Sequence, residues 1–294
     1  MMKRTNKGDQ AFYICNGILL ALLTLMVLLP LINIVASSFS DPLEVARGHV
    51  FLWPSGFSLE GYKAVFNYHG IWLAYLNTIF YTAAGTAINL IMTMFAAYAI
   101  SRKGVPFRGL ITGLFTFTML FSGGMIPGYI LMKDLHILNT RWAMLLPGAI
   151  SVYNMIIART FIQNIPTDLW EAAEIDGCSE ARFFVSMVLP LSVTLLSVLG
   201  LYYAVAHWNS YMDAFLYLSD PDMMPLQIKL RSVLIANTID QEFMGDEADA
   251  EARQSLAELL KYALIIVSSV PVLVLYPWVK KYFMKGVMLG SLKG

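Results

Sequence analysis

Five carboxylates fall within the thirteen residues from Asp168 to Glu180: Asp168, Glu171, Glu174, Asp176 and Glu180. A run this acidic makes a poor membrane anchor, because anionic lipid repels it. It suits a socket on another protein. Trp170, Ala173 and Gly177 are spaced for one face of a short helix, and Asp168 with Glu171 has the spacing of a capping box. Gly177 can take the left-handed conformation that ends such a helix. The chemistry on offer is charged docking, since the usual catalytic constellations are missing from the sequence. No Gly-Lys dipeptide occurs, so no P-loop can hold a nucleotide. Nor is there a His-Glu-x-x-His, a Cys/His ligand spacing or a Gly-x-Ser-x-Gly turn. His49, His69, His136 and His207 fit solvated loops, with a shared metal site as the alternative.

The rest of the chain must hold that run in place, and its composition says how. Of 294 residues, 57% are hydrophobic and 14% charged, against about 45–50% and about 25% in soluble domains. Mean hydropathy is +0.62. Lys+Arg and Asp+Glu both number 20, so no surplus charge attracts nucleic acid. The expectation is an all-α integral membrane protein.

A crossing helix needs about 20 apolar residues, and six segments qualify: 12–36, 71–100, 109–132, 141–162, 183–207 and 260–279. Lys3, Arg4 and Lys7 before the first resemble a signal-peptide flank. Its apolar run is too long for one, so an uncleaved first helix is expected. Residues 1–11 form an N-terminal tail and 12–294 one domain.

With the N-terminus inside, twelve of the 20 cations lie on cytoplasmic pieces, as the positive-inside rule requires. Arg102, Lys103 and Arg108 in the second short loop vote most clearly. The acidic run of 165–190 then also faces the cytoplasm, as do both termini. Cys15 and Cys178 lie near or in that reducing compartment and are expected to stay unpaired.

The spans carry no Asp or Glu deep in the hydrocarbon, unlike carriers that couple transport to buried charge. The second has a polar and small-residue stripe instead: Thr78, Thr82, Gly85, Asn89, Thr93 and Ala96. Two readings stand, close helix packing or the lining of a polar path. Pro190, Pro271 and Pro277 are expected to kink the last two spans.

Glu171-Ala172-Ala173, then Gly177 after three residues, then Met187-x-Leu189-Pro190 after nine more, resembles the EAA loop of permease subunits from binding-protein-dependent ABC importers. Met187 stands where that pattern has Ile, a volume-conserving change. Phe121-Ser122-Gly123-Gly124-Met125-Ile126-Pro127, Leu138-Asn139-Thr140, Trp208-Asn209-Ser210-Tyr211 and Pro225-Leu226-Gln227 look like the carbohydrate branch, of maltose or complex-oligosaccharide type. The resemblance implies six spans with a cytoplasmic coupling helix between the fourth and fifth. It makes Glu171, Ala172, Ala173, Asp176 and Gly177 the contacts to a separate ATPase. The chain would hold no cofactor, while ATP and Mg are bound by two partner ATPase subunits. A second permease chain and an extracytoplasmic solute-binding protein complete the implied assembly, in the cytoplasmic membrane.

For the solute path, Trp208, Asn209 and Tyr211 offer an aromatic face with amide and hydroxyl groups, as sugars require. Ser122, Tyr129, Tyr153 and Asn154 are further candidates. For each, packing or interface anchoring is the competing reading. An anionic solute such as an alginate oligosaccharide would bring in Lys133, Arg141, Lys229 or Arg231. Trp53, Phe57, Tyr62, Phe66 and Tyr68 suit an interfacial belt or local packing, or docking of the binding protein. Asp249 and Arg253 suggest a helical extension before the sixth span. A secondary carrier, or an importer of a non-sugar solute, is the alternative function.

Overall fold

The computed structural model describes residues 7–67, 69–236 and 255–274, and every regular element among them is helical. The main helices are α1 (Lys7–Ser38), α2 (Glu60–Asn67), α3 (His69–Ser101), α4 (Arg108–Leu120) and α5 (Met125–Asp134). They are followed by α6 (Val152–Gln163), α7 (Thr167–Ile175), α8 (Glu180–Leu191), α9 (Val193–Trp208), α10 (Leu226–Ala236) and α11 (Ser255–Val274). Three of the described helices are long and apolar enough to cross a membrane: Gly8–Ser38, Gly70–Ser101 and Ser255–Val274. The number rises to five if two bent pairs each count as one crossing.

Those pairs fall within two of the six expected spans. The segment 109–132 is two helices, α4 and α5, bent by 115° across Phe121–Gly124. Gly124 has φ +88, a conformation that interrupts any helix and that glycine adopts freely. Within 141–162 only α6 is a helix of more than one turn. Its twelve residues span about 18 Å, short of the roughly 30 Å hydrocarbon layer. The stretch before it contains Pro147 and Gly148, the latter at φ +75. In 183–207, α8 loosens into a π-turn over Phe184–Val188 and meets α9 at 79°. Pro190 stands at that bend, as its missing N–H would demand. Pro271 lies within α11, whereas Pro277, Tyr68, Asp249, Arg253 and the end of the sixth predicted span lie outside the described residues.

Two compact units divide the chain. In the first, Ala36, Val45, Val50 and Leu259 form a small core. Gly61 of α2 lets that helix close on α11: an added Cβ would lie 2.9 Å from Leu259 and 3.2 Å from Ala263. Asn33 donates to the carbonyls of Val50 and Phe51, and the Ser38 and Tyr62 hydroxyls lie 2.9 Å apart. Phe57 and Tyr62 pack on Phe39, while Trp53 is 81% exposed.

The second unit holds the larger core. Met94, Ala97 and Ile100 of α3 join Met155, Ala158 and Ile162 of α6, and Leu195, Leu199 and Tyr203 of α9. Ala173 of α7 and Phe183, Phe184 and Val188 of α8 complete it. Here the polar stripe of α3 meets its partners. The Thr78 hydroxyl accepts from the Leu226 N–H at 2.8 Å, and Asn89 donates to the Gly148 carbonyl at 2.7 Å. Thr93 and Tyr203 join hydroxyls at 2.6 Å. Helix packing therefore uses most of the stripe.

His207 departs from the expectation of a solvated loop residue. It lies in the last turn of α9, with Nε2 2.7 Å from Asn89 Oδ1. Because the Asn89 amide already donates to Gly148, Nε2–H is the donor to Oδ1. Gly85 makes room for the ring, since a Cβ there would lie 2.4 Å from the imidazole. Gly85→Ala is thus expected to cost about 1–3 kcal/mol by overpacking. The check is the apparent Tm of the detergent-solubilised complex, which must fall; an unchanged Tm would show that the imidazole is not held against α3.

Candidate functional site: an acidic helix seated on the core

The helix α7 is short, and an isolated helix of nine residues is marginal in water. Its stability must come from its seat. At 100° per residue, Trp170 and Ala173 share one side and Asp168, Glu171, Ala172 and Ile175 the other. The structure follows this division: Ala173 is buried, Trp170 half-buried, and the other four exposed, Ile175 at 86%.

Its ends explain the length. Pro166 stands at the start in an extended conformation, with no side-chain cap. The expected capping box of Asp168 and Glu171 is therefore not formed. The helix begins at Thr167, so Asp168 is already inside the first turn, where its charge still favours the positive end of the helix dipole. At the other end Gly177 has φ +72, its N–H bonds to the Glu174 carbonyl at 3.0 Å, and the Cys178 N–H bonds to Ala173 at 2.9 Å. This double closure is a Schellman motif.

A cluster of side chains ties the buried face to α3 and α8. The Arg102 guanidinium, just beyond the end of α3, lies 3.7 Å from the centroid of the Trp170 ring. It also pairs with Glu180 at 3.0 Å through Nη2 and 3.3 Å through Nε. The Tyr98 phenol donates to the same carboxylate. Trp170 in turn meets Phe183 edge to face, with centroids 4.8 Å apart. The Arg–Trp stack is worth about 0.5–2 kcal/mol and the aromatic pair about 0.5–1.5. With Glu180 55% exposed, its ion pair adds only about 0.2–1 kcal/mol. Stacking dominates. The sequence marks Arg102 only as one cation of a short basic loop, and Trp170 and Glu180 stand 68 and 78 residues away, beyond the reach of local spacing.

Of the residues suggested for a solute path, Ser122 is exposed at the α4–α5 break. Tyr129 stacks on Tyr217 with centroids 6.4 Å apart. Burial and the Asp213 carboxylate hold the Tyr217 phenol above its ordinary pKa. Tyr153 is exposed and Asn154 is buried at the start of α6. Trp208 is buried and meets Tyr75 edge to face. Asn209 donates back to Val205, and Tyr211 is exposed. A better-knit assembly surrounds residues 219–226. Asn139, left-handed at φ +53, accepts from the N–H groups of Ser219 and Asp220. Asn77 and Tyr81 of α3 donate to carbonyls of Asp222, Met224 and Met223. Arg141 contacts Asn77 at 3.4 Å and lies 5.0 Å from the centre of the Phe80 ring.

This architecture has close counterparts. Residues 2–289 match the family described as the binding-protein-dependent transport system inner membrane component, and the chain belongs to that family. It is a helical, multi-pass inner-membrane transport subunit. The polygalacturonan/rhamnogalacturonan transport system permease protein YtcP of Bacillus subtilis is 40% identical over 275 residues, 94% of this chain and 96% of YtcP. Protein LplC of the same organism is 38% identical over 289 residues, covering 98% and 97% of the two chains. A chain in the crystal structure of a bacterial ABC transporter that imports the acidic polysaccharide alginate superposes with a TM-score of 0.90. It shares 32% identity and covers 96% of this chain and 100% of that one.

The Gly177 turn provides a direct test of the seat. Nothing lies within 4 Å of a Cβ added there, so Gly177→Ala carries only the left-handed backbone penalty of about 1–2 kcal/mol. Faster amide exchange in residues 173–178, with the rest of the core unchanged, is the expected result. Unaltered exchange would mean that the turn does not hold the helix end.

Proposed function

We propose that the chain is one permease subunit of an ATP-driven importer of oligosaccharides, and that α7 is its coupling helix. The observation that carries this is the helix itself, with one face locked into the core and Glu171, Ala172 and Ile175 turned outward. Glu171 and Asp176 offer carboxylates to a basic groove on an ATPase subunit, Ala172 permits close approach, and Ala173 and Gly177 fix the seat and the end. In this reading the loop of 165–190 and both termini face the cytoplasm, six crossings pass through residues 12–294, and 1–11 form the cytoplasmic tail. The bent pairs and α6 would complete the crossings.

A second, different permease chain would enclose the path, two ATPase subunits would bind ATP and Mg below, and an extracytoplasmic binding protein would deliver solute. The chain would make and break no bond in the solute. YtcP's polygalacturonan/rhamnogalacturonan and the alginate importer favour a saccharide cargo, the latter an acidic one. For such a cargo Lys133, Arg141, Lys229 and Arg231 would supply positive charge, and Ser122, Tyr129, Tyr153, Asn154, Trp208, Asn209 and Tyr211 polar and aromatic contacts. ATP-driven closure of the motor subunits would push α7, and rocking of the helices would switch access.

Glu171→Ala and Gly177→Pro are expected to abolish solute-stimulated ATP hydrolysis while membrane insertion persists. Coupled hydrolysis at the parent rate in both variants would refute the assignment of α7. Uptake that survives ATP depletion and collapses with an uncoupler would instead indicate an ion-coupled carrier.

A further inference from the structure

We infer that Arg102 is a positioning residue that makes α7 and α3 move as one rigid body, so that α3 carries the stroke across the membrane. The inference rests on the coupling role proposed for α7 and adds the route by which its displacement leaves that helix.

Three neighbours present themselves. The preceding helix α6 has only twelve residues and is joined to α7 by a turn at Asn164–Pro166. The following helix α8 touches α7 through Phe183, yet it loosens into a π-turn and meets α9 at 79°. A push along that route reaches a joint at once. The third neighbour, α3, is one helix of 33 residues without proline. Its C-terminal end is clasped to α7 in two layers. The apolar layer sets Ala173 in the same core as Met94, Ala97 and Ile100. The polar layer is Arg102, over the Trp170 ring and paired with Glu180, whose carboxylate also takes the Tyr98 phenol. Arg102 thus gathers α3, α7 and α8 at one point.

What α3 holds further along gives the clasp its reach. Asn89 and Thr93 bond to the Gly148 carbonyl, His207 and Tyr203. Asn77, Thr78 and Tyr81 bond to the segment 222–226. From Arg102 to Asn77 the helix covers about 37 Å at 1.5 Å per residue, more than the roughly 30 Å of the hydrocarbon layer. A displacement of α7 therefore arrives at 222–226 through one stiff element, with no loop between.

The test uses the complete importer reconstituted with its partner subunits. Spin labels are placed on Glu174→Cys in α7 and Ile91→Cys in α3, both exposed positions, with Cys15 and Cys178 changed to serine. Distances are compared with and without ATP in magnesium-free buffer. The expected result is a separation constant to within about 2 Å, the scale of an interhelical slide. A larger change in the parent chain overturns the inference without any Arg102 variant being made. In Arg102→Gln the separation is expected to change with ATP. Uptake of trigalacturonate per ATP hydrolysed should fall about tenfold, within the usual range for coupling between sites, and recover in part in Arg102→Lys. An Arg102→Gln importer that shifts neither quantity also overturns it. A label on Ile175→Cys, on the outward face, that remains fully open to an aqueous relaxation agent when the ATPase is bound would refute the docking role of α7 instead.

Discussion

Ala173 is the smallest side chain that could join α7 to the core, and the rest of that helix follows from its size. A methyl group lets the α7 backbone lie close to the surface formed by α3, α6, α8 and α9, and Trp170 one turn earlier covers the edge of the contact. Once these two residues face inward, helical geometry leaves Glu171, Ala172 and Ile175 no place but outward. A larger residue at 173 would lift the helix, and the whole acidic face would lose its fixed orientation. Nine residues cannot hold a helix by backbone bonds alone, so the seat is also the reason the helix exists.

The membrane imposes a second constraint. Apolar lipid gives helices little reason to prefer one another over the surrounding tails, so close packing and interhelical hydrogen bonds must hold them together. The stripe of α3 meets that requirement with Thr78, Asn89 and Thr93, each bonded outside its own helix, and with Gly85 admitting His207 to within contact. The exception is Thr82, whose buried hydroxyl, like that of Thr86 beside the stripe, has no hydrogen-bond partner. Both lie on the same helix, between the bonded positions.

Long-range geometry was the part of this molecule that spacing could not supply. The helices α1 and α3 and the end of α7 at Gly177 follow from hydrophobic runs and local residue preferences, which act over a few residues. The breaks in the segments 109–132 and 183–207 were hidden because a broken apolar helix and a straight one have the same composition. Only Gly123-Gly124 and Pro190 marked them. The capping box failed by two residues of register, since Pro166 and not Asp168 stands at the N-cap. Arg102 and Glu180 are remote in sequence, and His207 lacked any local sign that Gly85 and Asn89 would receive it. In each case the deciding contact is made by tertiary packing.

The division between broken and unbroken helices bears on how such a subunit can move at all. Packed interiors do not deform continuously, and they change by rigid pieces turning about a few joints. Here α3 is continuous, whereas the α4–α5 pair and the α8–α9 pair contain their own joints. The α4–α5 joint is the more demanding of the two. After the Phe121 N–H closes on the Phe117 carbonyl, residues 122–124 leave the helical ladder, and hydrocarbon does not tolerate exposed irregular backbone. Such a break is stable at membrane depth only against other protein or against water.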